Sequence, residues 1–178
     1  GVKNVTYAMW FGGIYRDPKD FFPNFSVAPN FFDVYGEYEV PPEQLKAFQD
    51  TRTGAIVGAS LAKKFGWKVG DTVPIRSLLW TNRDGTNTWP LKIVGLLAKG
   101  SGPGMMVNYD YVDEGRTQSK GTTSFFLLKT VDPKRATQIG AAVDRLFANS
   151  PNETRSITPW EKSHPAARHS CEKVAGWK

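Results

Sequence analysis

Cysteine and histidine are almost missing from this chain of 178 residues, which limits the chemistry open to it. Cys171 is the only cysteine, so no disulfide can form within the chain, and cysteine content does not decide between a cytosolic and a periplasmic compartment. Both histidines, His164 and His169, lie near Cys171 in the C-terminal tail. A structural zinc site normally takes four ligands held by a fold, so we expect no metal here. Residues 1–158 offer no histidine as the base of a nucleophilic enzyme.

Long apolar runs and clusters of one charge are also missing. Apolar runs such as 125–128 have the length of a strand, far below the ~18 residues of a membrane helix. The chain opens on Gly1 without the charged and apolar regions of a signal peptide. A net charge of +6 is spread along the sequence, so we expect no nucleic-acid partner. With 40% hydrophobic and 13% aromatic residues, the composition nevertheless predicts a folded globule.

The best-defined pattern is a central block, residues 54–97, which begins with a short helix. Leu61 and Phe65 stand four residues apart and therefore share one helix face. Gly66 follows at the place where a helix commonly ends in a left-handed residue. The block therefore predicts an apolar entry, a helix and a tight turn, in that order.

After the helix, the block predicts a β-ribbon. Residues 72–76 alternate between apolar and polar side chains, as a half-buried strand does. Asp84-Gly85 is a strong turn pair that would lead into a second strand over 89–97. Pro74 and Pro90 lack an amide donor, which predicts strand starts, bulges or a sheet edge at those positions.

The same block resembles a known family. Its residues read AIVGASLAKKFGWKVGDTVPI and, past the turn, WPLKIVGLL. They resemble the periplasmic core domain of MacB-like, FtsX-type permeases of ABC transporters. The stretches MWFGGIYRDPKDFFPNFSV, DVYGEYEVPPEQLKAFQDTRTGAIVG, NYDYVDEGR and FANSPNETRS agree, so the resemblance extends over roughly residues 5 to 157.

The resemblance implies a non-catalytic extracytoplasmic domain that moves with membrane helices when ATP is hydrolysed in the cytoplasm. The implied partners are the domain's own transmembrane helices, which these residues do not include, and a cytoplasmic ABC ATPase subunit or domain. A second copy of the permease is a further candidate partner. The implied location is the periplasmic side of the bacterial inner membrane, and no cofactor is implied. The alternative is a soluble periplasmic binding module for a small ligand or peptide. Apolar segments of ~20 residues encoded on either side would favour the permease.

The pattern of elements predicts an α+β fold, and the resemblance implies a two-lobed arrangement. Residues 1–52 and 120–158 are expected to form a split β-α-β lobe, with 53–119 as an inserted β-rich lobe. Residues 159–178 have no periodic apolar face and depart from the family pattern, so we expect a poorly ordered tail.

The last folded unit has the clearest local signals. Residues 122–130 predict a strand with an apolar centre. Asp132 and Pro133 then predict a helix start, because aspartate caps helices and proline suits the first helical position. Residues 153–158 are expected to return as a strand.

Acidic side chains offer an enzymatic alternative. They could form the acid–base pair of a glycosidase, and the candidates are Glu37, Glu39, Asp110, Asp113 and Glu114. Such residues more often cap helices or lie on solvated faces, so we expect Asp110 or Asp113 to begin a helix.

Two features remain as functional candidates. Trp80 and Trp89 flank the 84–85 turn and form either a stabilising cross-strand pair, which we favour, or an exposed contact surface. A glycine-rich loop lacks the Lys-Ser/Thr ending of a phosphate-binding loop and instead predicts a hinge. The hinge candidates are Gly100, Gly102, Gly104 and Gly121.

Overall fold

The computed structural model describes residues 1–36, 38–97 and 104–158. The strands are β1 (Val2–Trp10), β2 (Gly13–Ile14), β3 (Asn24–Val27), β4 (Gly54–Gly58), β5 (Thr72–Ser77), β6 (Thr88–Leu97), β7 (Met105–Asn108) and β8 (Phe125–Thr130). The helices are α1 (Phe31–Val34), α2 (Pro42–Asp50), α3 (Ala59–Phe65), α4 (Tyr109–Gly115) and α5 (Ala136–Phe147), with a 3₁₀ turn at Pro133–Arg135. The strands form one sheet in the order β2-β5-β6-β4-β7-β3-β1-β8. The predicted mixture of helices and strands is confirmed.

The sheet is mixed, and its centre is covered on both faces. β3 pairs with β7 and β4 with β6 in parallel, whereas the pairs β1–β3, β4–β7, β5–β6 and β2–β5 are antiparallel. Two neighbouring residues of β4 point to opposite faces of the sheet and belong to different hydrophobic cores. Ile56 packs with α1 and α2, and Val57 packs with α3 and α4. Coverage of both faces explains why β4 and β7 are apolar without alternation.

The central block folds as its sequence predicts. Gly66 ends α3 in the left-handed conformation, with φ of 71°. Along β5, exposed and buried residues alternate without interruption. In the turn to β6, the Asn82 N–H donates to the Thr86 carbonyl (2.7 Å) and Gly85 takes a φ of 80°.

Pro74 and Pro90 stand inside β5 and β6, directly opposite each other, rather than at strand starts or bulges. Pro74 lies on the part of β5 that β2 leaves uncovered, which agrees with the expected sheet edge. Hydrogen-bonded and non-hydrogen-bonded pairs alternate in an antiparallel ladder. Two residues further on, the Lys92 N–H points away from β5 and donates to the Thr53 carbonyl (2.8 Å). The two prolines therefore form a non-hydrogen-bonded pair, and neither removes a bond between β5 and β6.

The chain divides into two compact units. One comprises Val5–Leu128, and the other contains Gly1–Asn4 together with the chain from Lys129 onward. These bounds differ from those of the lobes expected from the sequence, and the division into a split lobe and an insertion stays a prediction.

The smaller unit contains α5 and its capping signals. The Asp132 carboxylate accepts a hydrogen bond from the Lys134 N–H (3.0 Å), and Pro133 begins the 3₁₀ turn that leads into the helix. The predicted helix start is therefore confirmed. Past the helix, Asn149 takes a positive φ of 60°.

The expected return strand over 153–158 is wrong, because these residues bind α5 through polar groups instead. The Asp144 carboxylate accepts from the Ser156 N–H (2.9 Å), the Ser156 hydroxyl (2.9 Å) and the Thr154 hydroxyl (3.0 Å). Gly140 permits the approach, since a Cβ at that position would lie 2.8 Å from the Ser156 Cβ.

Candidate functional site

The two tryptophans that flank the 84–85 turn lie at different depths. Trp89 is fully buried, and its indole N–H donates to the Trp80 carbonyl (3.2 Å). The Trp89 ring makes edge contacts with the rings of Phe11 and Tyr111, at centroid distances of 6.0 and 5.6 Å. Trp89 is therefore structural rather than an exposed contact surface. Its cross-strand neighbour is Ile75, so the expected cross-strand pair of Trp80 and Trp89 is wrong, and the two residues meet through this hydrogen bond instead.

Trp80 is half-buried and joins three parts of the larger unit. Its indole N–H donates to the Trp10 carbonyl (2.9 Å) at the end of β1. The guanidinium of Arg116 lies over its ring, 4.7 Å from the centroid. A role for Trp80 in contacts with another protein or a lipid stays a prediction.

Arg116, which the sequence analysis did not single out, is the centre of this region. Its side chain is fully buried just after α4, and its Nε and Nη2 donate to the Asp113 carboxylate. Nη2 also donates to the Thr122 carbonyl (2.8 Å), and Nη1 lies 2.8 Å from the Met9 sulfur. The guanidinium thus fastens α4 both to the following loop and to β1.

The Asp113 carboxylate is held in its charged form. Burial by itself would raise its pKa, but the Gly121 N–H (2.9 Å) and the Arg116 guanidinium outweigh burial and lower the pKa. Tyr109, whose hydroxyl lies 3.2 Å from Asp113, shows the opposite shift. Burial, and then the charge of Asp113, raise the pKa of Tyr109 to about 12.

At neutral pH this cluster therefore contains a carboxylate, a guanidinium and an un-ionised phenol. The shifts of Asp113 and Tyr109 both move their pKa away from neutral pH, whereas general acid–base catalysis favours a pKa near the operating pH. The arrangement fits a structural fastening of the loop after α4.

Among the acidic candidates that the structure describes, two are bound by arginines. Asp113 binds Arg116, and Glu114 forms an ion pair with Arg52 on the surface. Asn108 begins α4, because its side-chain oxygen accepts from the Tyr111 N–H (3.3 Å). The expectation that an aspartate begins this helix is therefore wrong, although Asp110 lies in its first turn.

The remaining acidic candidates are Glu39 and Glu37. Glu39 is exposed, and Glu37 lies outside the described residues.

The hinge candidates are only partly described. The Gly104 carbonyl accepts from the Gly58 N–H (2.8 Å) beside β7, and Gly121 takes a φ of 73° in the loop bound by Asp113. Gly100 and Gly102 lie outside the described residues. Motion at these glycines stays a prediction.

The tail, with His164, His169 and Cys171, also lies outside the described residues. Across 1–36, 38–97 and 104–158, no three acidic, histidine or cysteine side chains gather as a metal site would need. In that same part of the chain, no helix combines the length and apolar character needed to cross a bilayer.

Comparison with known proteins gives a family and related folds. The family model of the MacB-like periplasmic core domain matches residues 2–146. The fold is similar to the extracellular domain of the ABC-type transporter YknZ from Gram-positive bacteria, with a TM-score of 0.61 and 18% identity over 89% of this chain and 82% of that one.

Two further solved structures are similar. The periplasmic region of MacB from Actinobacillus actinomycetemcomitans has a TM-score of 0.56 and 16% identity, covering 82% of this chain and 66% of that one. A domain of a putative permease from Porphyromonas gingivalis has a TM-score of 0.51 and 14% identity, covering 85% and 66%. A search of the curated proteins found no match.

Proposed function

The chain belongs to the MacB-like periplasmic core domain family of ABC transporter permeases, and we propose that it works there by transmitting movement. In this proposal the domain catalyses no reaction. It couples the motion of membrane helices to the export or release of a substrate. Its partners are its own transmembrane helices and a cytoplasmic ABC ATPase, and it is anchored at the outer face of the bacterial inner membrane.

The observation that supports transmission is the packing of the larger unit, from which we infer that it is stiff. Its strands are covered by α1 and α2 on one face and by α3 and α4 on the other. Close-packed interiors of this kind transmit displacement with little internal deformation. The buried Arg116–Asp113 pair holds the loop after α4 to the same body.

The proposal can be tested in the full permease without knowing the substrate. A spin label on a cysteine introduced at exposed Lys68, with Cys171→Ser and any other native cysteine of the permease replaced, would be paired with a second label at the cytoplasmic end of a membrane helix. We expect the distance between the labels to change between nucleotide-free and vanadate-trapped states. Identical distance distributions in the two states would refute the proposal.

A second arm tests whether a stiff connection matters. Gly/Ser linkers of about ten residues between the domain and each membrane segment behave as flexible coils. With them, the nucleotide-dependent distance change should be lost while ATP hydrolysis continues. The matched control inserts the same linker at the exposed 84–85 turn, where insertions are tolerated and the distance change should remain.

A further inference from the structure

A cleft of about 350 Å³ opens at the β2 end of the sheet. It is lined by Ile14, Tyr15, Arg16, Pro74, Arg76 and Thr88. All six residues belong to the larger unit. Two of them are arginines from separate segments of the chain, so the lining brings two positive charges to one cleft.

The cleft exists because β2 is very short. β2 pairs with β5 only at Gly13–Ser77 and Ile14–Arg76, and the chain turns away directly afterwards. The Asp17 N–H donates to the Tyr15 carbonyl (2.7 Å) across Arg16, whose φ is 59°. A two-residue hydrogen bond around a positive φ is the rare, strained form of the γ-turn. Strain of this kind at a bulky residue is concentrated at functional sites.

The turn brings Arg16 to the cleft that Arg76 also lines. The Arg16 guanidinium lies over the Tyr15 ring, 4.8 Å from its centroid, and lines the cleft. Arg76 lines it from β5, where Thr88 of β6 is its cross-strand neighbour. Two guanidiniums, together with the threonine hydroxyl, therefore offer several hydrogen-bond donors to one open space.

Both arginines are exposed, and neither forms an ion pair or hydrogen bond through its side chain with any other described residue. The nearby acidic residues are bound elsewhere. The Asp17 carboxylate accepts from the Lys19 N–H (2.8 Å), and Asp20 pairs with Lys64 (3.3 Å). Neither carboxylate forms an ion pair with Arg16 or Arg76, so both guanidiniums of the cleft can bind an anion.

We propose that this cleft binds a phosphate or phosphomonoester group through Arg16 and Arg76. Guanidinium groups match the geometry of phosphate oxygens, and two of them match the charge of about −1.5 to −2 that a phosphomonoester has at pH 7. A carboxylate has a single charge and would leave one guanidinium unmatched. The inference goes beyond the transmission role and does not depend on it.

An added peptide strand is a poor occupant for the same edge. Strand addition relies on main-chain hydrogen bonds along an exposed strand. Pro74 lies on the uncovered part of β5 and has no N–H to donate outward. A ligand at this edge must therefore bind mainly through side chains, as a small oxyanion does.

Titration of the full 178-residue chain with inorganic phosphate and with glycerol 3-phosphate, followed by amide NMR, tests the proposal. We expect saturable shifts at Ile14, Arg76 and Thr88. Arg16→Gln or Arg76→Gln should each weaken binding by about tenfold, since each removes a charge-assisted contact. The matched control is Arg83→Gln, which removes the same charge from an exposed turn outside the cleft and should leave the affinity unchanged.

A second variant separates binding from folding. Arg16→Gly relieves the positive φ, so it should retain or raise stability while losing phosphate affinity. A phosphate affinity that is unchanged in Arg16→Gly, or that falls equally in Arg83→Gln, would overturn the proposal. So would acetate binding as tightly as phosphate, because the cleft would then be a general carboxylate site.

The source of the phosphate group is decided by flotation with phosphatidylcholine vesicles that contain or lack phosphatidic acid. Binding to the phosphatidic acid vesicles that is lost in the Arg16→Gln/Arg76→Gln double variant assigns the cleft to a lipid headgroup. Binding of the soluble phosphates without vesicle binding assigns it to a free phosphomonoester. Absence of saturable binding in every arm would refute the site.

Discussion

Replacing Arg116 by alanine should destabilise the domain more than any other single loss of charge in the described residues. The substitution removes the charged donor of the Asp113 carboxylate and one of the two donors of the Thr122 carbonyl, which also accepts from the Tyr109 hydroxyl. It also removes the cation that lies over Trp80. Breaking one side of a buried ion pair typically costs 3–5 kcal/mol, and Asp113 retains some access to water, so we expect a loss of about 3 kcal/mol.

Urea unfolding monitored by tryptophan fluorescence would measure this loss. For a slope of about 2 kcal/mol per molar urea, the midpoint should fall by roughly 1.5 M. The matched control is Arg52→Ala, which breaks a pair with Glu114 whose two side chains are more than half exposed. Such surface pairs contribute about 0–1 kcal/mol, so the urea midpoint of the control should hardly change.

Two further variants decide whether the ion pair itself is responsible. Arg116→Lys keeps the charge but not the forked geometry, so it should recover only part of the stability. In a double-mutant cycle of Arg116→Ala with Asp113→Asn, the double variant should lose less free energy of unfolding than the two single variants lose in sum. Additive losses, or a loss below about 1 kcal/mol for Arg116→Ala, would refute the assigned role.

Three further predictions concern the same unit. The pKa of Tyr109 is about 12 in the folded protein and near 10 in the unfolded chain, so the un-ionised phenol contributes to the free energy of unfolding. This contribution is complete below about pH 10 and is lost as the pH rises through about 12. In urea unfolding at a series of pH values, Tyr109→Phe should remove this part of the loss of stability at alkaline pH. Folding lowers the pKa of Asp113, so its contribution to the free energy of unfolding is present at neutral pH and should disappear below about pH 4. Asp113→Asn should therefore reduce the dependence of stability on pH in the acid range. Gly115→Ala should lower the midpoint of thermal unfolding, because the new Cβ would lie 2.6 Å from the Trp89 ring; Gly66→Ala is the matched control, expected to cost about 1 kcal/mol from its positive φ alone.

Local signals were enough to predict most helices and strands. The four-residue spacing of Leu61 and Phe65, followed by Gly66, encodes a helix and its end within seven residues. Asp132 and Pro133 mark the start of the last helix in the same way. These signals work because the energies that they report, capping and backbone preference, depend on neighbours in sequence.

The order of the strands was not predictable in this way. β7 lies between β3 and β4, parallel to one and antiparallel to the other, although about fifty residues separate it from β4 in sequence. Such pairing depends on which apolar faces meet, and the alternation within each strand is compatible with several orders. The absence of a strand at 153–158 has a related cause. The Asp144 carboxylate of α5 binds the Ser156 N–H, which a strand would use for pairing.

The buried cluster around Arg116 could not be found from sequence for an electrostatic reason. Aspartate and arginine three residues apart at the end of a helix are an ordinary surface pair, and nothing local distinguishes Arg116 from Arg52. The difference lies in what surrounds the guanidinium: Met9 and Trp80 come from positions far away in sequence and remove the water around it. The same pair of residue types then changes from a nearly neutral surface contact to one that folding depends on, because the penalty for an unpaired charge rises as water is excluded.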